Sequence, residues 1–249
     1  MSRPFQSDKS ISVALPEIHF ENFPEHSSYA KWTSSVFVPL HYEKGYAYPL
    51  VVWLPGSKSI NRQLTTVMPQ VSLRNYVAIS PDSAPESQKE NNQIGLAMGD
   101  KGNQNLIFHE IERVQRRYHI DPERVFIAGC GSGGYRAMEL AMKHPESFAG
   151  AISLCGSLPT SPLCMGDVRR TRQLPVFLAQ SRQDTAFSEE QFCDGLRMLH
   201  VAGFSVTARQ YPGGEQINTQ MLHDIDVWIM ELINGFDMTN PASSSPERN

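Results

Sequence analysis

Short apolar runs, several of them continuously apolar, alternate with amphipathic helical patterns and restrict this chain's fold more than any other feature. The runs are Ser35–Leu40, Leu50–Leu54, Tyr76–Ser80, Val125–Gly129, Gly150–Leu154, Pro175–Ala179 and Ser205–Tyr211. Leu50-Val51-Val52-Trp53-Leu54 and Val125-Phe126-Ile127-Ala128 contain no polar residue. A strand reads that way when helices cover both faces of its sheet, so that neither face meets water. The segments between follow the helical period. Ile107, Ile111, Val114 and Tyr118 form one stripe, as a helix facing a sheet requires. Ser188 with Gln191 has capping-box spacing ahead of Phe192, Leu196 and Leu199. Met221, Ile225, Trp228, Ile229 and Leu232 define a last helix, with Gly235 placed to stop it. This alternation predicts an α/β fold: a doubly wound, mostly parallel sheet with helices on both faces.

The 249 residues suffice for one large core. The patterning predicts an N-terminal extension over 1–33, one domain over 34–236 and a flexible tail over 237–249. Against 26 acidic residues stand 22 basic ones, a net charge of −4. That balance lacks the basic footprint of a nucleic-acid partner. No apolar run is long enough to span a bilayer, and the polar start shows no secretion signal. Cys130, Cys155, Cys164 and Cys193 form no C-x-x-C pair. They read as free thiols of a cytoplasmic protein. Neither a phosphate loop, nor a dinucleotide fingerprint, nor a metal-ligand spacing occurs, so no cofactor and no metal are expected.

Sheets of this kind place their sites at the carboxyl ends of strands. The connections there are Pro55–Asn61, the long polar Pro81–Asn103 and Gly156–Gln173. The last carries Arg169, Arg170 and Arg172, an anion-recognising rim or a solvated loop. The most informative stretch is Asp121–Pro145, in which a strand ends in glycines and passes directly into a helix. That is the layout of a nucleophile elbow. Together with PLVVWLPGS, RNYVAIS, LPVFLAQSRQD and QYPGG, in that order, it resembles the α/β hydrolases. The nearest likeness is to the phospholipase/carboxylesterase-type and polyhydroxyalkanoate-depolymerase-like serine esterases, over about Ser35 to Gly235. The resemblance implies the α/β-hydrolase fold, ester hydrolysis through an acyl-enzyme, and no cofactor.

It also implies where the catalytic groups would stand. Counted forward from Asp121-Pro122 or back from His144-Pro145, the nucleophile position is Gly131, which has no side chain to attack with. Asp184 matches the acidic triad member. The histidine position, after Tyr211-Pro212-Gly213-Gly214, is Glu215. A carboxylate with an ordinary pKa of about 4.3 is a poor base for a serine hydroxyl. Ser57 and Ser132 have backbone N–H groups positioned as oxyanion donors. Ser132 is also the fallback nucleophile, or else a cap of the following helix. His223 is the fallback base, or an exposed helix histidine. Cys130 reads as a small buried thiol, and Asp184 alternatively as a cap or an Arg182 partner.

Three functions are therefore expected in competition. One is a catalytically impaired or inactive homologue that keeps the pocket for a small ester or acyl ligand. Another is a weak carboxylesterase using Ser132 and Asp184. The third is a structural or interaction protein, a homodimer for instance, with a filled site.

Overall fold

The apolar runs become strands. In a computed structural model the chain is described over residues 20–22, 34–56, 64–81, 101–159, 168–185, 187–214 and 217–235. The strands are β1 (Phe20–Asn22), β2 (Ser34–Phe37), β3 (Tyr48–Leu54), β4 (Val77–Pro81), β5 (Ile120–Cys130), β6 (Gly150–Leu154), β7 (Val176–Ser181) and β8 (Val206–Tyr211). They form one sheet in the order β1-β2-β4-β3-β5-β6-β7-β8. β3 to β8 pair in parallel, and β1 and β2 add an antiparallel edge. The sheet therefore also recruits Phe20–Asn22, from the segment whose sequence carries little pattern.

The helices are α1 (Leu64–Val71), α2 (Lys101–Arg117), α3 (Ser132–Lys143), α4 (Val168–Gln173), α5 (Glu189–Val201) and α6 (Thr219–Ile233). They divide between the two faces. Leu50, Val52 and Leu54 of β3 point into a core with Ile107 and Ile111 of α2, Met138 of α3 and Phe192 and Leu199 of α5. Val51 and Trp53 point the other way, into a core with Leu64 and Met68 of α1 and Met221, Ile225 and Trp228 of α6. Every residue of β3 is thus buried, because successive side chains enter opposite cores. At about 25 cal/mol per Å² of apolar surface, these two cores supply the main stabilisation of the fold.

The expected helix ends also form. Ser188 Oγ accepts from Gln191 N–H, and Gln191 Oε1 accepts from Ser188 N–H. Gly235 follows α6 with φ +72°, a left-handed conformation that only glycine adopts without strain. Pro81–Asn103 lies outside the described residues over 82–100.

Candidate active site

The elbow is a corner with a bare apex. β5 ends at Cys130, α3 begins at Ser132, and Gly131 alone makes the turn with φ 56° and ψ −121°. A β-carbon at such a φ is strained by about 1–3 kcal/mol. Gly131 N–H donates to the Leu154 carbonyl at 2.8 Å, and its carbonyl accepts from Tyr135 N–H at 3.1 Å. The corner is thereby tied to both β6 and α3.

Small residues let the helix approach the sheet this closely. A β-carbon on Gly133 would collide with the Leu54 carbonyl, and one on Gly129 with the Gly133 backbone. β-Carbons on Gly134 and Gly156 would lie 2.5 and 2.6 Å from Ser153 Oγ. Cys130 is fully buried, as a packed thiol should be. Ser132 is exposed and is the first residue of α3. It does not cap that helix, because the cap position belongs to Gly131.

Asp184, the residue expected at the acidic position, lies two strands along the same edge. Asp184 follows β7 and is only 8 % exposed. Its N–H donates to the Ser181 carbonyl, and its Oδ1 accepts from Phe187 N–H, both at 3.1 Å. Gln180 Nε2 donates to the Phe187 carbonyl at 2.6 Å. Asp184 therefore closes the turn onto Phe187. It does not cap α5, which Ser188 does. The Arg182 guanidinium, exposed to solvent, forms no ion pair among the described residues.

A ladder continues beyond the strand ends and joins these corners. Gly131 N–H donates to Leu154, Cys155 N–H to Ala179 and Arg182 N–H to Tyr211, at 2.8, 2.8 and 2.9 Å. Gln183 N–H then donates to the Gly213 carbonyl at 3.0 Å, which sets the Asp184 turn beside the glycines after β8. Cys155, which the sequence offers only as a free thiol, lies within this row and is a buried free cysteine. It is a non-glycine residue at φ +51°, with Sγ 3.7 Å from Ser181 Oγ. Its sign in the sequence is only that it directly follows an apolar run.

Behind the third corner stands a charged anchor. Asp224 Oδ2 accepts from Tyr211 Oη and Arg209 Nη1, each at 2.6 Å, and Oδ1 accepts from Gln220 Nε2 at 2.9 Å. Burial alone would raise the Asp224 carboxyl, but its three donors hold it below the usual carboxylate range. Burial and the Asp224 charge push the Tyr211 phenol up. His223, next in sequence, is exposed and makes no hydrogen bond or ion pair among the described residues. Ser57 and Glu215 lie outside the described residues. Among the described residues there is no group of three His, Cys, Asp or Glu side chains able to hold a metal. No helix among them is long and apolar enough to cross a membrane.

Known proteins are similar to this chain in sequence or in fold. The "Putative esterase NocK" of Nocardia uniformis subsp. tsuyamanensis is 42 % identical over 57 residues, 23 % of this chain and 16 % of that protein. The "Probable carboxylesterase SOBER1-like" of Arabidopsis thaliana is 21 % identical over 221 residues, 80 % of this chain and 82 % of that one. Among solved structures, a thermostable esterase superposes with a TM-score of 0.61 at 21 % identity. That match covers 86 % of this chain and 62 % of the esterase, and it shows the fold alone. The model of the Esterase family, described as "Putative esterase", matches residues 27–223, well over half of the sequence. With the α/β-hydrolase sheet, the strand–helix corner and this match together, the chain belongs to the Esterase family.

Proposed function

We propose that the protein is a catalytically impaired member of this family that retains the pocket at the carboxyl edge of its sheet for a small ester or acyl ligand. One observation carries the reading: the residue at the apex of the strand–helix turn is Gly131. A serine hydrolase needs an oxygen there, raised above the sheet and facing the carbonyl it attacks. Position 215, where the family's histidine would follow the glycines, is glutamate. Losing either group removes most triad catalysis, because triad members act as a unit. The N–H of Ser132, and that of Ser57, are the donors this reading assigns to a bound carbonyl oxygen.

Hydrolysis of p-nitrophenyl acetate and butyrate tests this. The expected rate equals that of a heat-denatured control, while non-hydrolysable acyl analogues raise the melting temperature as ligands of the folded state do. Turnover well above the control, abolished by Ser132→Ala, overturns the reading. It would establish the second one, a weak carboxylesterase using Ser132 and Asp184. The exposure of Ser132 at the start of α3 is what favours that alternative. A fluorophosphonate adduct on Ser132 would mark it directly.

A further inference from the structure

A cleft of about 250 Å³ lies at the opposite end of the sheet from Gly131, and no step above uses it. Its walls come from Tyr48 at the start of β3, Arg74 ahead of β4, and Met230 and Ile233 in the last turns of α6. The turn before β3 adds Glu43 and Tyr46. A space of this size is on the scale of a single small metabolite.

The wall is built in advance. Tyr46 N–H donates to the Glu43 carbonyl at 3.1 Å, and Glu43 N–H donates to the Tyr48 hydroxyl at 3.1 Å. The Tyr46 ring stands edge-on to Tyr48, with centroids 4.7 Å apart, and Tyr48 in turn stacks on Tyr42 at 5.1 Å. Tyr46 nevertheless remains 49 % exposed. An aromatic ring packed on its neighbour yet half uncovered presents apolar area to a ligand.

The charges at the cleft are opposite in sign and unused. Among the described residues, neither the Glu43 carboxylate nor the Arg74 guanidinium makes a side-chain hydrogen bond or ion pair. α6 also ends without a basic residue in its last turn, so the negative pole of its dipole is not offset from within the helix. An ammonium group suits Glu43, the helix end and the Tyr46 face. A carboxylate suits the planar fork of Arg74. Met230 and Ile233 supply an aliphatic floor.

We infer that this cleft is a binding site for a small zwitterion with an apolar body, of the class of a free apolar α-amino acid. The inference does not rest on the loss of catalysis at the elbow and holds for an active enzyme equally.

The test is titration of the whole protein by calorimetry with three probes: L-phenylalanine, N-acetyl-L-phenylalanine and L-phenylalaninamide. The first carries both charges, the second only the carboxylate and the third only the ammonium. Saturable binding of L-phenylalanine is expected, at least threefold tighter than either blocked form. Glu43→Gln should remove its advantage over the acetylated probe, and Arg74→Gln its advantage over the amide. Tyr46→Ala should weaken all three. No saturable binding of L-phenylalanine to the wild-type protein overturns the inference. So does binding that all three variants leave unchanged while their melting temperatures match the wild type.

Discussion

The Tyr211 hydroxyl donates to Asp224 Oδ2 at 2.6 Å, clamping the end of β8 to the first turns of α6. Arg209 reaches the same oxygen at 2.6 Å, so one carboxylate fixes both the strand and the chain that leaves it. Removing its charge by Asp224→Asn leaves three donors, Tyr211, Arg209 and Gln220, without their anion. Hydrogen bonds to charged groups contribute about 1.5–3 kcal/mol, so a loss of about 2 kcal/mol is expected. The sign with pH follows from the carboxyl's lowered pKa. A depressed folded-state value stabilises the fold above the unfolded value of about 4. That contribution is lost as pH falls through the folded value. Urea unfolding should therefore show the full gap between wild type and variant at pH 6. The gap should shrink below pH 4. A gap constant down to pH 2 would remove the carboxylate from this role.

The approach of α3 to the sheet sets a second expectation. Gly133 faces the Leu54 carbonyl, a backbone atom that cannot turn away. Gly133→Ala must therefore shift the helix, at a cost of about 1–3 kcal/mol or more, as for other overpacked cores. The melting temperature should fall by roughly 2–4 °C per kcal/mol in a chain this size. Gly214→Ala is the control, since its β-carbon would meet only the Gln183 carbonyl, at 3.9 Å.

Ser153 gives the opposite sign. Its hydroxyl is 1 % exposed and has no hydrogen-bond partner among the described residues. A buried polar group without a partner costs free energy, so deleting the oxygen removes a penalty. Ser153→Ala should be neutral or stabilising by up to about 1 kcal/mol in denaturant unfolding. A loss above about 1 kcal/mol would show that the hydroxyl is bonded.

The strands β3, β4, β6 and β7 were legible in the sequence for a physical reason, each being buried along its whole length. A strand buried on both faces must be apolar throughout, and Leu50–Leu54 shows this without ambiguity. The α5 and α6 boundaries were legible because Ser188 and Gly235 carry out their capping chemistry locally. α1 was not. It is eight residues long with Pro69 inside it, and a proline that removes a backbone donor argues against a helix. It forms because Leu64, Val67, Met68 and Val71 bury against α6 and the sheet. α4 was hidden in the same way, its Val168–Gln173 reading as a charged loop. At the site, the bend at Gly131 could be counted from its flanks. The partner of Asp184 could not, since Phe187 N–H is a backbone group that no side-chain pattern announces. The Cys155 backbone conformation was missed because a positive φ leaves no mark on residue type when the residue is not glycine.

Asp184 also yields a prediction. Its Oδ1 holds Phe187 N–H, and Phe187 is a buried ring packed at 6.2 Å against Phe192. Asp184→Ala should loosen this turn and cost about 1–2 kcal/mol. Asp184→Asn keeps an acceptor oxygen and should cost less. Hydrogen exchange at the Phe187 amide reads the effect directly. If both variants exchange as the wild type does, Asp184 does not order the turn.

The strongest expectation concerns the apex itself. Serine at position 131 would sit at φ 56° and ψ −121°, so Gly131→Ser should cost about 1–3 kcal/mol of stability in backbone strain. It should add no esterase activity alone, because Glu215 cannot accept the hydroxyl proton at neutral pH as an imidazole would. Glu215→His alone should likewise be inactive, having no nucleophile to serve. The double variant is different. If positions 131, 184 and 215 are triad-equivalent, it assembles serine, histidine and aspartate together. Hydrolysis of p-nitrophenyl acetate should then rise at least tenfold over either single variant, with a pH profile that climbs through the histidine range. Equal rates in all three folded variants would mean that these positions do not converge, and the bare apex would no longer explain a lack of catalysis.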